Sequence, residues 1–509
     1  MKLAGPIHSR RYQLWSSALA LALVACGSDE PSSGGAGGTA GSSGAGAVGG
    51  SGGSMGGSSS GGSSSGGSST GGAGGSAGVG GSAGVGGSAG AAGAAGSGGA
   101  GGGACRPAEL VFVNREQLGN ASPGFQVATT PAGETWVEVT SPGSVDWGGG
   151  PISVTGQLLT RLDAQGNVVV NRSGYDDPAN YAAIRPLLGE PDGGVTLLTE
   201  GTGKFDGVQT TGYFVARLNP DGSTAWVLDH AQKADHARAG GYVVAGSFLK
   251  AITLGGQPVP RDNGELLWFA KVDASGQVQA VHTAGSLSAT QNQEMFINQV
   301  LELPDESVWV LGFAPTSSGT ASVKFGGIQL PAGVHHFAVH LDAAGAVLDA
   351  IPDPSYGNVL MGADGFYRVV GESVGILKLE HLKFDGTPVW SHRYEATSLF
   401  TGYSTGAVGS DGSWAYVLEV TGDLDVGCGP NPYGANTPTQ YVMKFDPAGN
   451  ITWIDYVPYD ASGSGIGVIE SIGIDAAGAV VLGAGIHGSP VIGGQTVSGA
   501  GNMAVIKYK

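Results

Sequence analysis

Phe214-Val215-Ala216-Arg217-Leu218-Asn219-Pro220-Asp221-Gly222, followed by Ser223-Thr224-Ala225-Trp226, holds one strand, one turn and the start of another strand. Its residues alternate between a bulky side and a mixed side, the pattern of a half-buried strand. An Asn or Asp opening a turn can bond its own backbone two residues on, and the glycine accepts the positive φ that closes a hairpin. The same unit recurs at Leu162-Asp163-Ala164-Gln165-Gly166, Val272-Asp273-Ala274-Ser275-Gly276, Leu341-Asp342-Ala343-Ala344-Gly345, Phe384-Asp385-Gly386 and Phe445-Asp446-Pro447-Ala448-Gly449. Trp226, Trp390 and Trp453 each land on the strand after such a turn.

A second turn family interleaves with the first. Its seven members are Pro131-Ala132-Gly133, Pro191-Asp192-Gly193, Ala239-Gly240-Gly241, Pro304-Asp305-Glu306, Ala363-Asp364-Gly365, Ser410-Asp411-Gly412 and Asp475-Ala476-Ala477-Gly478. Most precede an apolar strand that ends in a small residue, such as Val243-Val244-Ala245-Gly246 or Val308-Trp309-Val310-Leu311-Gly312. Two hairpins for every 40 to 70 residues is the period of a four-stranded propeller blade, which cannot bury both faces alone. Helix evidence is poor, because Gly, Pro, Asn and Asp punctuate the chain every 8–12 residues and no long 3.6-residue period appears.

The ends set the closure. The last unit stops at Met503-Ala504-Val505-Ile506-Lys507-Tyr508, before its final strand. Glu109-Leu110-Val111-Phe112-Val113-Asn114 is a strand with no hairpin partner, and it can supply the missing edge. The expected fold is therefore all-β: a β-propeller of seven four-stranded blades over residues 105–509, closed by N- and C-terminal strands. Two units depart from the pattern. The third leaves almost no room for an inner strand between Asp229 and Gly240, and the fifth lacks a Gly-Gly loop. Six blades, or a ring with one damaged blade, stays open. The L-D-x-x-G turn and the recurring Gly-Gly (Trp147-Gly148-Gly149, Leu254-Gly255-Gly256, Phe325-Gly326-Gly327, Ile492-Gly493-Gly494) resemble bacterial SBBP-type β-propeller repeat proteins.

The N-terminal fifth has a different character. Lys2, Arg10 and Arg11 precede an apolar run from Leu14 to Ala25, too short to span a bilayer and right for a signal peptide over residues 1–25. Leu23-Val24-Ala25-Cys26 resembles a bacterial lipobox. That resemblance implies acylation of Cys26 and a membrane partner held by the lipid anchor, and Gly27 after the cysteine implies the bacterial outer membrane. Residues 31–104 contain no Asp, Glu, Lys or Arg. Such a Gly/Ser/Ala-rich segment cannot bury enough surface to offset its ordering entropy, so residues 26–104 read as a disordered linker. A Gly-rich coil of that length spans about 50 Å, enough to present the domain away from the lipid.

Net charge is −18. Removing Lys2, Arg10 and Arg11 leaves 20 basic against 41 acidic residues, near −21. Nucleic acid and anionic lipid are repelled by that field, whereas protein and neutral glycan partners remain open, and a monomer is expected. With Cys26 lipidated, Cys105 and Cys428 remain. An even pair in an exported chain suggests a disulfide beside the closing strand; two free thiols are the alternative.

Several apparent catalytic motifs dissolve once placed on the repeat. Gly371-Glu372-Ser373-Val374-Gly375 matches a nucleophile elbow, but strand rather than helix follows it. Gly483-Ala484-Gly485-Ile486-His487-Gly488 matches a dinucleotide fingerprint with no helix to hold a pyrophosphate. His335, His336 and His340 share one strand, with His336 and His340 about 13 Å apart, too far for one zinc ion. Asp423-Leu424-Asp425 lacks the remainder of a calcium loop. No metal, cofactor or catalytic residue is assigned. The irregular third unit gathers Asp229, His230, Asp235, His236 and Arg238, and Asp235, His236 and Arg238 form the candidate ligand pocket at the channel mouth. A non-catalytic binding module for protein or glycan is the leading expectation. A lyase or hydrolase at the channel mouth, or a structural surface protein, is the alternative.

Overall fold

The computed structural model describes residues 105–509 except 117–124, 148–150, 174–180, 260–264, 288–294, 315–321, 334–335, 353–358, 374, 396–399, 421, 423, 435–436, 459–464 and 498–502. The signal-peptide, lipobox and linker expectations on residues 1–104 lie outside the described residues. So do His335, Asp423, Gly148 and Gly149.

Seven antiparallel four-stranded blades form a ring. Blade 1 consists of Phe125–Thr129, Thr135–Val145, Ile152–Leu162 and Val168–Ser173. Blade 2 is Tyr181–Gly189, Val195–Phe205, Val208–Leu218 and Thr224–Asp229. Blade 3 is Lys233–His236, Tyr242–Ser247, Glu265–Val272 and Val278–Leu287. Blade 4 is Phe296–Glu302, Val308–Phe313, His336–Leu341 and Val347–Pro352. Blade 5 is Val359–Gly362, Gly365–Ser373, Ile376–Leu382 and Pro388–Glu395. Blade 6 is Phe400–Val408, Trp414–Val420, Thr439–Phe445 and Ile451–Pro458. Blade 7 is Gly465–Ile474, Val480–His487, Met503–Tyr508 and, from the far end of the chain, Leu110–Glu116. Each blade's first strand neighbours the first strands of the blades on either side, all the way round. The first strands are therefore the innermost.

The two turn families are the two kinds of hairpin on one face of this ring. The seven-member family joins first to second strands, and the six-member family joins third to fourth. Blade 7 has no turn of the second kind because its fourth strand arrives from the N-terminus. In the third-to-fourth turns an aspartate side chain holds the loop. Asp163 Oδ1 accepts the N–H groups of Gln165 and Asn167 at 2.9 and 2.8 Å, and Asp342 holds Ala344 and Ala346 in the same way.

The glycine closing these turns has a second role. Gly276 has a φ of 85°, and a Cβ added there would lie 2.5 Å from the Trp226 ring. Trp226 belongs to the outer strand of the preceding blade. Trp390 covers Gly449, His282 covers Gly345 and Phe112 covers Gly166 by the same rule. Trp226 and Trp390 are thus inter-blade lids. Trp453, on blade 6, has no such turn to cover in blade 7; it packs against Tyr508 at 5.3 Å.

The structure resolves the blade count. The third unit does contain an inner strand, the four residues Lys233–His236, paired with Tyr242–Ala245, so neither six blades nor a missing inner strand survives. Blade 5 joins its second and third strands through a short turn at Gly375, with no Gly-Gly hairpin. In blades 3, 4 and 7 the Gly-Gly pairs are the tips of small extra hairpins. Their first glycines press onto Val278, Val347 and Leu110, the first residues of the outer strands of their own blades.

Apolar clusters fill the spaces between blades. Trp136 and Leu159 of blade 1 meet Val195, Leu197, Phe214 and Ala216 of blade 2, and Ala415 and Val417 of blade 6 meet Val480, Leu482 and Ile506 of blade 7. At the seam, Cys105 is bonded to Cys428, with Cα atoms 5.2 Å apart. Arg106–Pro107 then runs parallel to Trp453–Ile454 of blade 6, Ala108 is buried, and Leu110–Glu116 completes blade 7.

Candidate functional site

Asp235, His236 and Arg238 lie where blades 2, 3 and 4 meet, on the face that carries both turn families. Asp229, by contrast, ends the outer strand of blade 2 at the opposite end, where it accepts from Thr211, and His230 follows it there. Strand alternation sends Asp235 and His236 to opposite faces of Lys233–His236. His236 turns to blade 2, where its Nε2 is 3.1 Å from Glu190 Oε2. Glu190 is 3% exposed and fully engaged. Tyr242 Oη donates to Oε2 at 3.0 Å and Thr196 Oγ1 to Oε1 at 2.5 Å, while Arg217 Nε stands 3.9 Å away. Burial pushes the Glu190 carboxyl up, but the donors from His236 and Thr196 outweigh it and hold the group below its ordinary value. The same hydrogen bond raises His236, whose side chain is 40% exposed. Arg217 also donates to Tyr242 Oη at 2.9 Å and pairs with Asp192.

Asp235 belongs to the other side. Burial lifts its carboxyl to about 6, with the Glu302 carboxylate adding to the rise and the His236 N–H opposing it. Glu302 is itself 3% exposed. It accepts Lys271 Nζ at 2.7 Å and the backbone N–H of Arg238 at 2.8 Å. Arg238 therefore joins this network through its main chain. The three candidate pocket residues do not converge on one point. They flank two buried carboxylates, Glu190 and Glu302, that the sequence reading did not single out.

A further signal was written in the repeat. The next-to-last residue of every third strand is basic: Arg161, Arg217, Lys271, His340, His381, Lys444 and Lys507. Most of them reach the next blade. Arg161 and Lys444 donate to the carbonyls of Gly193 and Gly478, Lys271 pairs with Glu302 and Glu306, and Lys507 donates to Gly133 O at 2.7 Å. The two histidines behave differently. His340 stacks on Trp309 with ring centroids 4.6 Å apart, and His381 on Tyr367 at 4.2 Å. This is an inter-blade latch, and its signal was a cation one residue before the strand's end.

The remaining motifs take structural places. Gly371 and Ser373 lie in the second strand of blade 5, which turns directly into the third strand. Gly483 lies within a strand, and a Cβ there would fall 2.2 Å from Phe125 of blade 1. His336 packs on Phe313 at 5.0 Å, while His340 Nε2 meets Ser307 Oγ at 2.8 Å. Among the described residues no group of three His, Cys, Asp or Glu is arranged to hold a metal ion.

No protein-family model matches the chain, and no curated protein matches it. Solved structures do. An acylaminoacyl peptidase from Pyrococcus horikoshii is similar over 63% of this chain at 10% identity and a TM-score of 0.32. This chain spans 45% of that enzyme. BBS1N, solved in complex with ARL6DN, is similar over 79% of this chain and 97% of its own, at 8% identity and a TM-score of 0.38. A protein of unknown function from Dyadobacter fermentans is similar over 79% of this chain and 99% of its own, at 9% identity and a TM-score of 0.33. Similarities this distant assign no activity and no partner to this chain.

Proposed function

We propose that this chain is an exported bacterial lipoprotein, cleaved before Cys26 and acylated there, whose residues 26–104 tether a non-catalytic propeller to the outer membrane as a binding module for protein or glycan. The lipobox-like Leu23-Val24-Ala25-Cys26, the charge-free linker and the resemblance to SBBP-type repeats support the address and the presentation. One observation carries the non-catalytic reading. Glu190, the carboxylate beside the half-exposed His236, has both oxygens occupied by donors from its own chain. A general base needs a lone pair aimed at the substrate proton, and here those lone pairs hold two blades together.

Two experiments test this. Cys26→Ser should abolish incorporation of labelled palmitate and membrane sedimentation; a variant still labelled and sedimenting refutes the anchor. The purified chain, screened on glycan and peptide arrays, should bind without altering its ligand. Mass-spectrometric detection of a cleaved product that disappears in His236→Ala would establish a channel-mouth enzyme instead. Loss of binding in His236→Ala or Arg238→Ala, with the fold intact, would place the ligand on this face.

A further inference from the structure

The strand Leu110–Glu116 is joined by the chain to blade 1 yet hydrogen-bonds into blade 7. Its hold there is modest. Leu110, Phe112 and Val113 are half-buried and Val111 is 44% exposed, whereas every residue of its neighbour Met503–Tyr508 is buried. On the N-terminal side, two residues pair with blade 6 and the Cys105–Cys428 bridge fixes the end covalently. Without Leu110–Glu116, Met503–Tyr508 presents a row of unpaired N–H and C=O groups next to a buried apolar core. Such an edge pairs with any strand of fitting pattern. The best-fitting strand is the one it evolved with, and each further copy of this chain carries it.

We propose that the Cys105–Cys428 bridge keeps the ring seam private to one chain, and that reducing it lets residues 105–116 of a second copy occupy the edge of Met503–Tyr508. Both cysteines are half-buried rather than sealed, so a small dithiol reaches them. The dithiol gives two electrons and two protons, the sulfur–sulfur bond breaks to two thiols, and the reductant leaves as its own disulfide. The incoming strand takes the same register, Leu110 opposite Tyr508, Val113 opposite Ile506 and Glu116 opposite Met503. Exchange between two chains is isologous and closes as a dimer.

The test uses the full chain in detergent, as wild type and as Cys105→Ala/Cys428→Ala. A fluorescent peptide of residues 106–116 should bind the double variant and dithiol-treated wild type, raising anisotropy, and should leave oxidised wild type unchanged. Light scattering should show the double variant's mass doubling with concentration, and differently tagged chains should co-purify. A folded double variant that stays monomeric and ignores the peptide overturns the proposal. Where the double variant does not fold, hydrogen exchange on dithiol-treated wild type decides. Selective loss of protection in Met503–Tyr508 supports the proposal, and equal loss in all seven blades overturns it.

Discussion

Replacing Lys507 by methionine tests what the buried cation near the end of blade 7's third strand contributes at the seam with blade 1. Lys507 Nζ donates to Gly133 O of blade 1 at 2.7 Å and lies 3.0 Å from Asp475 Oδ2, with the two side chains 6% and 2% exposed. Methionine has similar length, so little cavity opens, and the loss is the charge facing a buried carboxylate. Breaking one side of such a pair costs about 3–5 kcal/mol. Asp475 keeps the N–H groups of Ala477 and Ala479 at 3.0 and 2.8 Å, which places the cost near the lower end, about 3 kcal/mol. A folded body of roughly 400 residues loses about 2.1 cal/mol/K of entropy per residue on folding, or about 0.8 kcal/mol/K. The calorimetric midpoint should therefore fall by about 4 °C. Lys507→Met with Asp475→Asn should recover most of that, since asparagine keeps the acceptor oxygen and drops the charge. Lys444→Met is the control. Its ammonium meets the neutral Gly478 carbonyl, so about 1 kcal/mol is expected. A Lys507→Met midpoint within about 1 °C of wild type would refute the stabilising role of this buried cation.

Three other outcomes follow from the same geometry. A Cβ on Gly189 would lie 2.0 Å from the Thr129 carbonyl oxygen, so Gly189→Ala must part the inner strands of blades 1 and 2; thermal melts should show it far more damaging than Gly207→Ala, where nothing stands within 4 Å and backbone strain alone costs about 1–2 kcal/mol. The Asp235 carboxyl is raised from 3.8 to about 6, so its contribution is fully present below the lower value and lost as pH rises through the upper one. Asp235→Asn should remove that decline from denaturant midpoints measured across pH 4–7, a difference of at most about 3 kcal/mol, and an unchanged slope would contradict the burial argument. His236 is also raised, by Glu190; its stabilisation is present below the ordinary histidine value and lost as pH climbs through the folded one, so His236→Gln should flatten the curve on that alkaline side.

Much of the architecture was legible because turns write themselves locally. Asp163, Asp273 and Asp342 each bond backbone two and four residues on, which any short window reveals. The inner strand of blade 3 was hidden because Lys233-Ala234-Asp235-His236 carries no apolar alternation; Ala234 is the one apolar residue of the four, and the neighbouring blades supply the rest of its surroundings. The candidate site was read by nearness in sequence, which put Asp235 and His236 in one pocket. Pleating separates them, and their true partners lie far away, Glu190 46 residues from His236 and Glu302 64 from Arg238. The basic latch was present at a fixed position but resembled a solvated cation before a turn, and only the ring brings the neighbouring blade's carbonyl to it.

A blade assembled from both ends of a chain also imposes an order on its making. Leu110–Glu116 is synthesised before the strands of blades 1 to 6, with Leu110, Val111, Phe112 and Val113 looking for a partner that is synthesised almost 400 residues later. Blades 1 to 6 can form in sequence during that wait, yet the ring stays open until its last residues emerge. Cys428 appears 75 residues before Met503. Once blade 6 is built, oxidation with Cys105 can moor the waiting strand beside the slot it will fill, shortening its final search from the length of the whole ring to the width of one blade.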